Sequence, residues 1–150
     1  MEKKSKLNLK ILLLVVIIAV VAAIVIGAIV VVNIVNNGVD HNSGIFTMEF
    51  VTRTSDQWTV SAQSAQGYSI IFRDLSQQDL NQISVDSSIA EGEMSLILSQ
   101  GEHSQTIDLS GGAKNLSADD MGMDMFSPGR ISMQLKFNNA KNIAVNINWR

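Results

Sequence analysis

The sequence contains no cysteine and only one proline among its 150 residues. The absence of cysteine excludes a disulfide framework, a thiolate metal site, a cysteine nucleophile and a lipid anchor on cysteine. It also favours a bacterial envelope protein over a small animal ectodomain, because such ectodomains usually carry disulfides. The two histidines, His41 and His103, belong to no cluster typical of a catalytic triad or a two-histidine metal site.

Positive charge is scarce outside the first ten residues. That tail holds four lysines and one glutamate, whereas the rest of the chain holds 7 basic and 13 acidic side chains. The scattered basic residues argue against nucleic-acid binding, which needs clustered lysine and arginine to neutralise phosphates. No phosphate-binding loop, nucleophile elbow or zinc-protease motif is present, and unpatterned acids are no evidence for a glycosidase. The sequence therefore predicts that the protein is not an enzyme.

One segment, Ile11–Val32, lacks polar residues altogether. As a helix its 22 residues would extend about 33 Å, enough to cross a hydrocarbon core of about 30 Å. A cleaved signal peptide has a shorter apolar region, of about 7–15 residues, and a small-residue cleavage site, which does not follow here. We therefore predict an uncleaved transmembrane signal anchor, with residues 1–10 as a cytoplasmic tail because positive residues stay inside.

This topology gives four segments. They are a basic tail (1–10), a single transmembrane helix (11–32), a polar spacer (33–44) and a domain (45–150) that lies outside the cytoplasm at the cell membrane. Within the predicted helix, Ala19, Ala23 and Gly27 form one stripe of small side chains. Such a stripe lets two membrane helices pack closely, but small residues are also common in membrane helices without that role. Self-association through the stripe is therefore one hypothesis.

From Ile45 onwards, apolar and polar residues alternate, which is typical of strands with one buried face. The clearest runs begin at Phe46, Met94, Ile131 and Ile143. We predict seven to nine strands in an antiparallel β-sandwich, either jelly-roll-like or immunoglobulin-like. The last two runs flank Asn139–Asn142 and are predicted to form a C-terminal hairpin.

Further strands are predicted between these runs. Glu93–Ser99 and Ser104–Ser110 are expected to form a second hairpin. Trp58–Ala62 and Tyr68–Phe72 are expected to be separate strands, divided near Gly67.

One short segment has a helical pattern instead. Ser76, followed three residues later by Asp79, resembles a capping box. The spacing predicts a short helix over Ser76–Gln82, with Leu80 and Ile83 facing inward.

Aromatic residues are the first candidate platform for a ligand, although they make up only 5% of the chain. Trp58 and Tyr68 are least constrained by the alternation and are the candidate exposed contacts, because aromatic rings with one polar end suit a surface that binds sugars or proteins. Four others follow the buried-face pattern and are predicted to lie in the core: Phe46, Phe50, Phe137 and Trp149.

The run from Asp119 to Met125 is the candidate metal site. Its thioethers are soft ligands that suit Cu(I): Met121, Met123 and Met125. Its acids offer oxygen ligands for Ca²⁺, although their spacing is not that of an EF-hand: Asp119, Asp120 and Asp124. Two interpretations need no metal, namely methionines that share one face of an extended segment and pack into the core, and a solvated acidic loop. The sequence requires no cofactor, and calcium is one option.

Three functions are compatible with this organisation. The first is a membrane-anchored extracytoplasmic binding module of a bacterial cell envelope, with an envelope protein or a polysaccharide as its partner. The second is a structural accessory subunit of a membrane complex, held through its transmembrane helix. The third is an envelope protein that handles copper or calcium. The short cytoplasmic tail leaves no room for a domain, which favours a function in the exposed part.

Overall fold

The computed structural model describes residues 40–47 and 49–150. The predicted tail and membrane helix, including the stripe of Ala19, Ala23 and Gly27, lie outside the described residues, as do residues 33–39 of the predicted spacer. Within the part of the chain that is described, no helix is both long enough and apolar enough to span a membrane. The membrane anchor therefore stays a prediction from the sequence.

Strands make up most of the described chain. They are β1 (His41–Thr47), β2 (Phe50–Arg53), β3 (Gln57–Leu75), β4 (Ser84–Ile89), β5 (Glu91–Gln100), β6 (His103–Asp108), β7 (Gly112–Leu116) and β8 (Gly129–Asn148). A helix, α1, covers Gln77–Gln82, and a 3₁₀ turn covers Met123–Met125. All pairings between these strands are antiparallel. The prediction of an all-β antiparallel sandwich is confirmed.

Two long strands, β3 and β8, join the two layers of the sandwich. They pair with each other almost throughout, with a bulge between Ala65 and Gly67 of β3. At the bulge Gly67 has a φ of +130°, and a Cβ there would lie 2.1 Å from the carbonyl oxygen of Ser43. Only glycine fits this close approach of the paired strands β1 and β3. Bulges and bends of this kind let one strand take part in two packed sheets.

The bend defines two layers. Layer A contains β1, residues 67–75 of β3, residues 129–138 of β8, β5 and β6. Layer B contains β2, residues 57–65 of β3, residues 140–148 of β8, β4 and β7. Inward-facing side chains from both layers form one apolar core that includes Trp58, Phe137 and Trp149. The outward side chains of the layers therefore form two separate surfaces.

The predicted C-terminal hairpin is wrong. Asn139 and Asn142 have positive φ angles of 49° and 50°, but the residues on both sides of them pair with the same neighbour, β3. Asparagine tolerates the left-handed region, and here it bends a strand without reversing it. The predicted division between Trp58–Ala62 and Tyr68–Phe72 is wrong for a similar reason, because both segments belong to the bent strand β3.

Two other local predictions are confirmed. β5 and β6 form the expected hairpin, which closes at the Gln100–His103 pair. Helix α1 begins at the expected capping box, in which the Ser76 hydroxyl accepts from the Asp79 amide and the Asp79 carboxylate accepts from the Ser76 amide at 2.9 Å. Leu80 and Ile83 are buried, as the spacing predicted.

The start of the domain differs from its prediction. β1 begins at His41, inside the predicted spacer, and the run from Phe46 to Phe50 is divided between β1 and β2. Phe46 packs edge to face against Phe137 in the core, whereas Phe50 is 63% exposed. The predicted burial of Phe50 is therefore wrong, because the connection between the two strands changes the phase of the alternation.

A candidate ligand-binding face

The outward surface of layer A carries a strip of large apolar side chains. Tyr68, Ile70 and Phe72 alternate with inward-facing residues of β3, so all three lie on the same side of the sheet. Tyr68 and Phe72 are four residues apart, which is about 13 Å along a strand. The three side chains are half-buried, and Ile97 of β5 extends the apolar surface two strands away. We name this outward surface of layer A the aromatic face.

Polar side chains flank the strip at fixed register positions. Lys136 pairs with Tyr68, Ser95 pairs with Lys136, and Asp108 pairs with Ser95, so these residues form a row across four strands. Directly opposed residues in antiparallel strands share a face, so the row lies beside the apolar strip. The neighbouring rows add further amide and hydroxyl groups: Gln134, Thr106, Ser132, Ser99 and Ser104.

Neighbouring side chains hold both aromatic rings. The His41 ring meets the Tyr68 ring edge to face at a centroid distance of 5.7 Å, and its Nε2 lies 3.4 Å from the Tyr68 hydroxyl oxygen. The guanidinium carbon of Arg130 lies 5.5 Å from the centroid of Phe72, within the range of a cation–π contact. Rings that are already oriented lose less conformational entropy when a ligand binds.

A depression of about 690 Å³ lies beside the apolar strip and includes Lys136, the cross-strand partner of Tyr68. Two hydrogen bonds order its polar lining. The Asn138 amide donates to Glu93 at 2.9 Å, and the Gln66 side chain accepts from the backbone of Asn139 at 2.8 Å. The Lys136 side chain is exposed. A concave, ordered and polar surface thus adjoins the apolar strip. Ligand sites usually combine apolar side chains with a few placed polar groups in this way.

Asp108, on the far side of the depression, carries a fixed negative charge. Hydrogen bonds from the Ser110 amide, at 2.9 Å, and from the Ser110 side chain lower the pKa of Asp108. Partial desolvation raises this pKa and nearby Lys114 lowers it, so the net shift is downward. The carboxylate is therefore ionised at neutral pH. The face offers a cation and an anion beside an apolar strip. A pyranose, with an apolar C–H face and hydroxyl groups around its edge, is complementary to that combination.

The structure separates the two predicted aromatic contacts. Tyr68 lies on the aromatic face and is half-buried. Trp58 is 0% exposed, because it faces inward from β3 in a row with Ile147 and Val85. The prediction that Trp58 is an exposed contact is wrong. The sequence did carry a signal for this burial, because Trp58, Val60 and Ala62 alternate with polar residues and all three are buried.

Sequence reasoning missed Phe72, Lys136 and Asp108 as members of this surface. Lys136 and Asp108 belong to β8 and β6, which are distant in sequence from β3, and only the strand register aligns them with Tyr68. Around Phe72 both faces of β3 carry apolar residues, with Ile71 in the core. The pattern therefore did not distinguish the outward set from the buried one.

The candidate metal residues are used for other contacts. Asp120 accepts hydrogen bonds from the Ser117 hydroxyl at 2.6 Å and the Ser117 amide at 2.9 Å, and these lower the pKa of Asp120. Asp119 and Asp124 are exposed. Within residues 40–47 and 49–150, no group of three or more histidine, aspartate or glutamate side chains is arranged to hold a metal ion.

The methionines of this run do not all share one buried face. Met121 and Met123 are buried in the core, and Met125 is 43% exposed. The expected extended segment is wrong, because the chain here forms turns followed by the 3₁₀ turn. Two of the three thioethers thus fill the core, in keeping with the packing interpretation. Copper and calcium binding stay predictions from the sequence.

No family model and no curated protein matches the chain. Among solved structures, it is similar to TmCBM61 in complex with beta-1,4-galactotriose, with a TM-score of 0.40 and 14% identity over 74% of this chain and 85% of that chain. A mutant of a family 29 carbohydrate binding module gives a TM-score of 0.36 and 12% identity, over 73% of this chain and 77% of that one. A mutant of CBM29-2 gives 0.33 and 15%, over 73% and 72%.

Proposed function

We propose that this protein is a non-catalytic binding module of a bacterial cell envelope, and that its aromatic face binds a polysaccharide. We further propose that the domain is held outside the cytoplasm by a single transmembrane helix at Ile11–Val32. The uninterrupted apolar run and the lysine-rich tail before it support the anchor.

The observation that carries the binding proposal is the strip of Tyr68, Ile70 and Phe72 on an outward sheet face. An antiparallel sheet with one solvated face normally alternates apolar residues inward with polar residues outward. Here the outward set of β3 is also apolar over three successive positions. A contiguous apolar patch that is rimmed by polar side chains marks a binding surface.

The polar row beside the strip supports a sugar ligand. Lys136 donates, Asp108 accepts and Ser95 does both, and these groups lie at one-strand intervals of about 4.8 Å. A chain of sugar rings that lies over the strip would present its hydroxyl groups to this row. Stacking on Tyr68 and Phe72 supplies apolar contact, and the row supplies orientation.

The test is binding of the full chain, purified in detergent micelles, to insoluble peptidoglycan by co-sedimentation, and to soluble polymers by affinity electrophoresis. The soluble probes are hydroxyethyl cellulose, galactan and polygalacturonate. We expect at least one polymer to bind. Tyr68→Ala and Phe72→Ala should each weaken that binding about tenfold, the equivalent of about 1.4 kcal/mol, a magnitude typical of a lost aromatic contact.

Met125→Ala is the matched control, because it removes an exposed apolar side chain outside the aromatic face. It should bind as the unmodified protein does. The proposal fails if none of the four polymers binds, or if both aromatic variants fold and bind with unchanged affinity.

A further inference from the structure

The outward surface of layer B carries a row of small side chains. Ladder pairings connect the row across all five strands of the layer, from β2 to β7. Its members are Phe50, Ser61, Ala144, Ser88 and Ala113. Adjacent strands are about 4.8 Å apart, so the row extends about 19 Å. After Phe50 no side chain in it reaches beyond its γ atom, and the row forms the floor of a groove.

Polar side chains two residues further along each strand form one wall of this groove. They are Thr52, Thr59, Asn146, Asp86 and Asn115. The Thr59 hydroxyl donates to Asn146 at 3.0 Å, and the Asn115 amide donates to Asp86 at 2.5 Å. The wall is thus ordered without a ligand. At Ala144, Ser88 and Ala113 of the floor and Asn146 of the wall, the groove deepens to a depression of about 480 Å³. Ser61 and Phe50 continue the row beyond this depression.

An exposed ring stands at one end of the floor. Phe50 is 63% exposed, and its register partner is Ser61, the next residue of the row. It contributes little to the core, because it points to the outer side of edge strand β2. An aromatic ring at the end of this row offers a stacking surface to a ligand that extends along the floor beyond the depression.

Few charges face this groove. Lys114 pairs with buried Ser87, so its side chain lies on the other side of layer B, where it donates to the Asp108 carbonyl oxygen at 2.8 Å and lies 3.4 Å from the Asp108 carboxylate. The other charged group, Asp86, accepts from Asn115. An anionic polymer that lies along the wall would meet this carboxylate. Neutral hydroxyl groups, by contrast, pair with the amide, carboxylate and hydroxyl groups present.

We infer that this groove is a second binding site and that it takes a stretch of a neutral linear polysaccharide. Sugar rings lie on the floor around Ala144, their hydroxyl groups pair with the wall, and one ring stacks on Phe50. An extended peptide fits less well, because strand addition requires a sheet edge and the main chain under this floor is already paired. The site is on the opposite side of the sandwich from the aromatic face and does not depend on it.

Calorimetric titration of the full chain in detergent micelles tests the inference. The probes are cellohexaose, xylohexaose and mannohexaose, with hexagalacturonate as the anionic comparison. Ala144→Phe fills the centre of the floor, and Asn146→Ala removes the centre of the wall. Each should weaken the binding of a neutral hexasaccharide at least tenfold, whereas Met125→Ala, which is exposed outside both surfaces, should leave that binding unchanged. Tyr68→Ala is titrated in parallel.

Gln78→Phe is the matched control, because it places the same ring on an exposed position of helix α1, outside the strands that form either surface. It should bind as the unmodified protein does. The inference is overturned if no neutral hexasaccharide binds, if Ala144→Phe and Asn146→Ala both bind normally, or if hexagalacturonate binds most tightly. Weaker binding in Tyr68→Ala alone would overturn the second site and support the aromatic face.

Discussion

At the residue scale, the side of the sheet that an aromatic side chain faces decides whether it packs in the core or lies on an outward surface. Tyr68 and Trp58 belong to the same strand, yet the alternation changes phase between them, because two residues instead of one separate buried Ala62 from buried Ala65. Trp58 is enclosed by the core, whereas Tyr68 faces outward beside Lys136. A role in binding and a role in stability can therefore be separated by substitution at these two positions.

Trp58→Ala should lower the free energy of unfolding by about 3–5 kcal/mol, because it leaves a large cavity in the core. Urea denaturation of the full chain in micelles, followed by near-ultraviolet circular dichroism, measures this loss. Tyr68→Phe, which keeps the ring and removes one hydroxyl, should change the stability by no more than about 1 kcal/mol. Equal stability of Trp58→Ala and the unmodified protein would contradict the burial of Trp58.

At the scale of single elements, the capping box of α1 makes a specific pH prediction. The Asp79 carboxylate accepts from the Ser76 backbone and side chain, and Arg150 adds to these contacts, so the pKa of Asp79 is lowered despite its burial. A lowered folded-state pKa gives stability that is complete above the unfolded-state value, of about 3.9, and is lost as the pH falls through the folded-state value.

Asp79→Asn should therefore lower the free energy of unfolding at pH 7 by about 1 kcal/mol, the usual contribution of a helix cap. The difference from the unmodified protein should shrink at pH 3. Urea denaturation at the two pH values measures both quantities, with exposed Asp124→Asn as the control. A difference that stays constant or grows at pH 3 would contradict the contacts assigned to Asp79.

The close pairing of β1 with β3 depends on a glycine. A Cβ on Gly67 would lie 2.1 Å from the Ser43 carbonyl oxygen, at a φ of +130°. Gly67→Ala should lower the free energy of unfolding by more than about 3 kcal/mol, since backbone strain of order 1–3 kcal/mol adds to the steric overlap. Gly101→Ala, where a Cβ meets open space at a φ of +59°, should cost about 1–2 kcal/mol. Similar losses of unfolding free energy in the two variants would contradict the close approach of β1 and β3 at Gly67.

Sequence reasoning predicted the elements that depend on local chemistry. The capping box at Ser76 and the β5–β6 hairpin involve residues that are close in the chain, so their signals are local. The bends at Gly67 and Asn139 carry the same residue types as turns, and only pairing with β3 on both sides shows that the strand continues. Lys136 and Asp108 of the aromatic face are brought together by the register of β8, β5 and β6, and this register cannot be inferred from the sequence pattern alone.

At the scale of the whole molecule, the absence of native cysteine permits a direct test of topology. Glu102 lies in the exposed turn between β5 and β6, and Lys6 belongs to the basic tail of the sequence. Each is replaced in turn by cysteine, in the variants Glu102→Cys and Lys6→Cys. We expect a membrane-impermeant maleimide to label Glu102→Cys on intact bacterial cells, and Lys6→Cys only after permeabilisation. Labelling of the two positions in the reverse order would contradict the orientation predicted from the charges.

The two outward surfaces of the sandwich differ in chemistry. The aromatic face combines an apolar strip with Lys136 and Asp108, whereas the groove of layer B combines small side chains with an uncharged wall apart from Asp86. Both are built on rigid strands that share one core, so ligand contacts on either face require no refolding. The two proposals together assign this small domain two recognition surfaces at fixed positions.

The central claim, that the aromatic face binds a polymer, is tested most directly by hydrogen exchange of the full chain with and without the polymer that binds best. The account predicts slower exchange on binding in residues 66–74 and 130–138, the parts of β3 and β8 that carry the aromatic face, with little change in α1. Slower exchange confined to other segments, with these two unchanged, would contradict it.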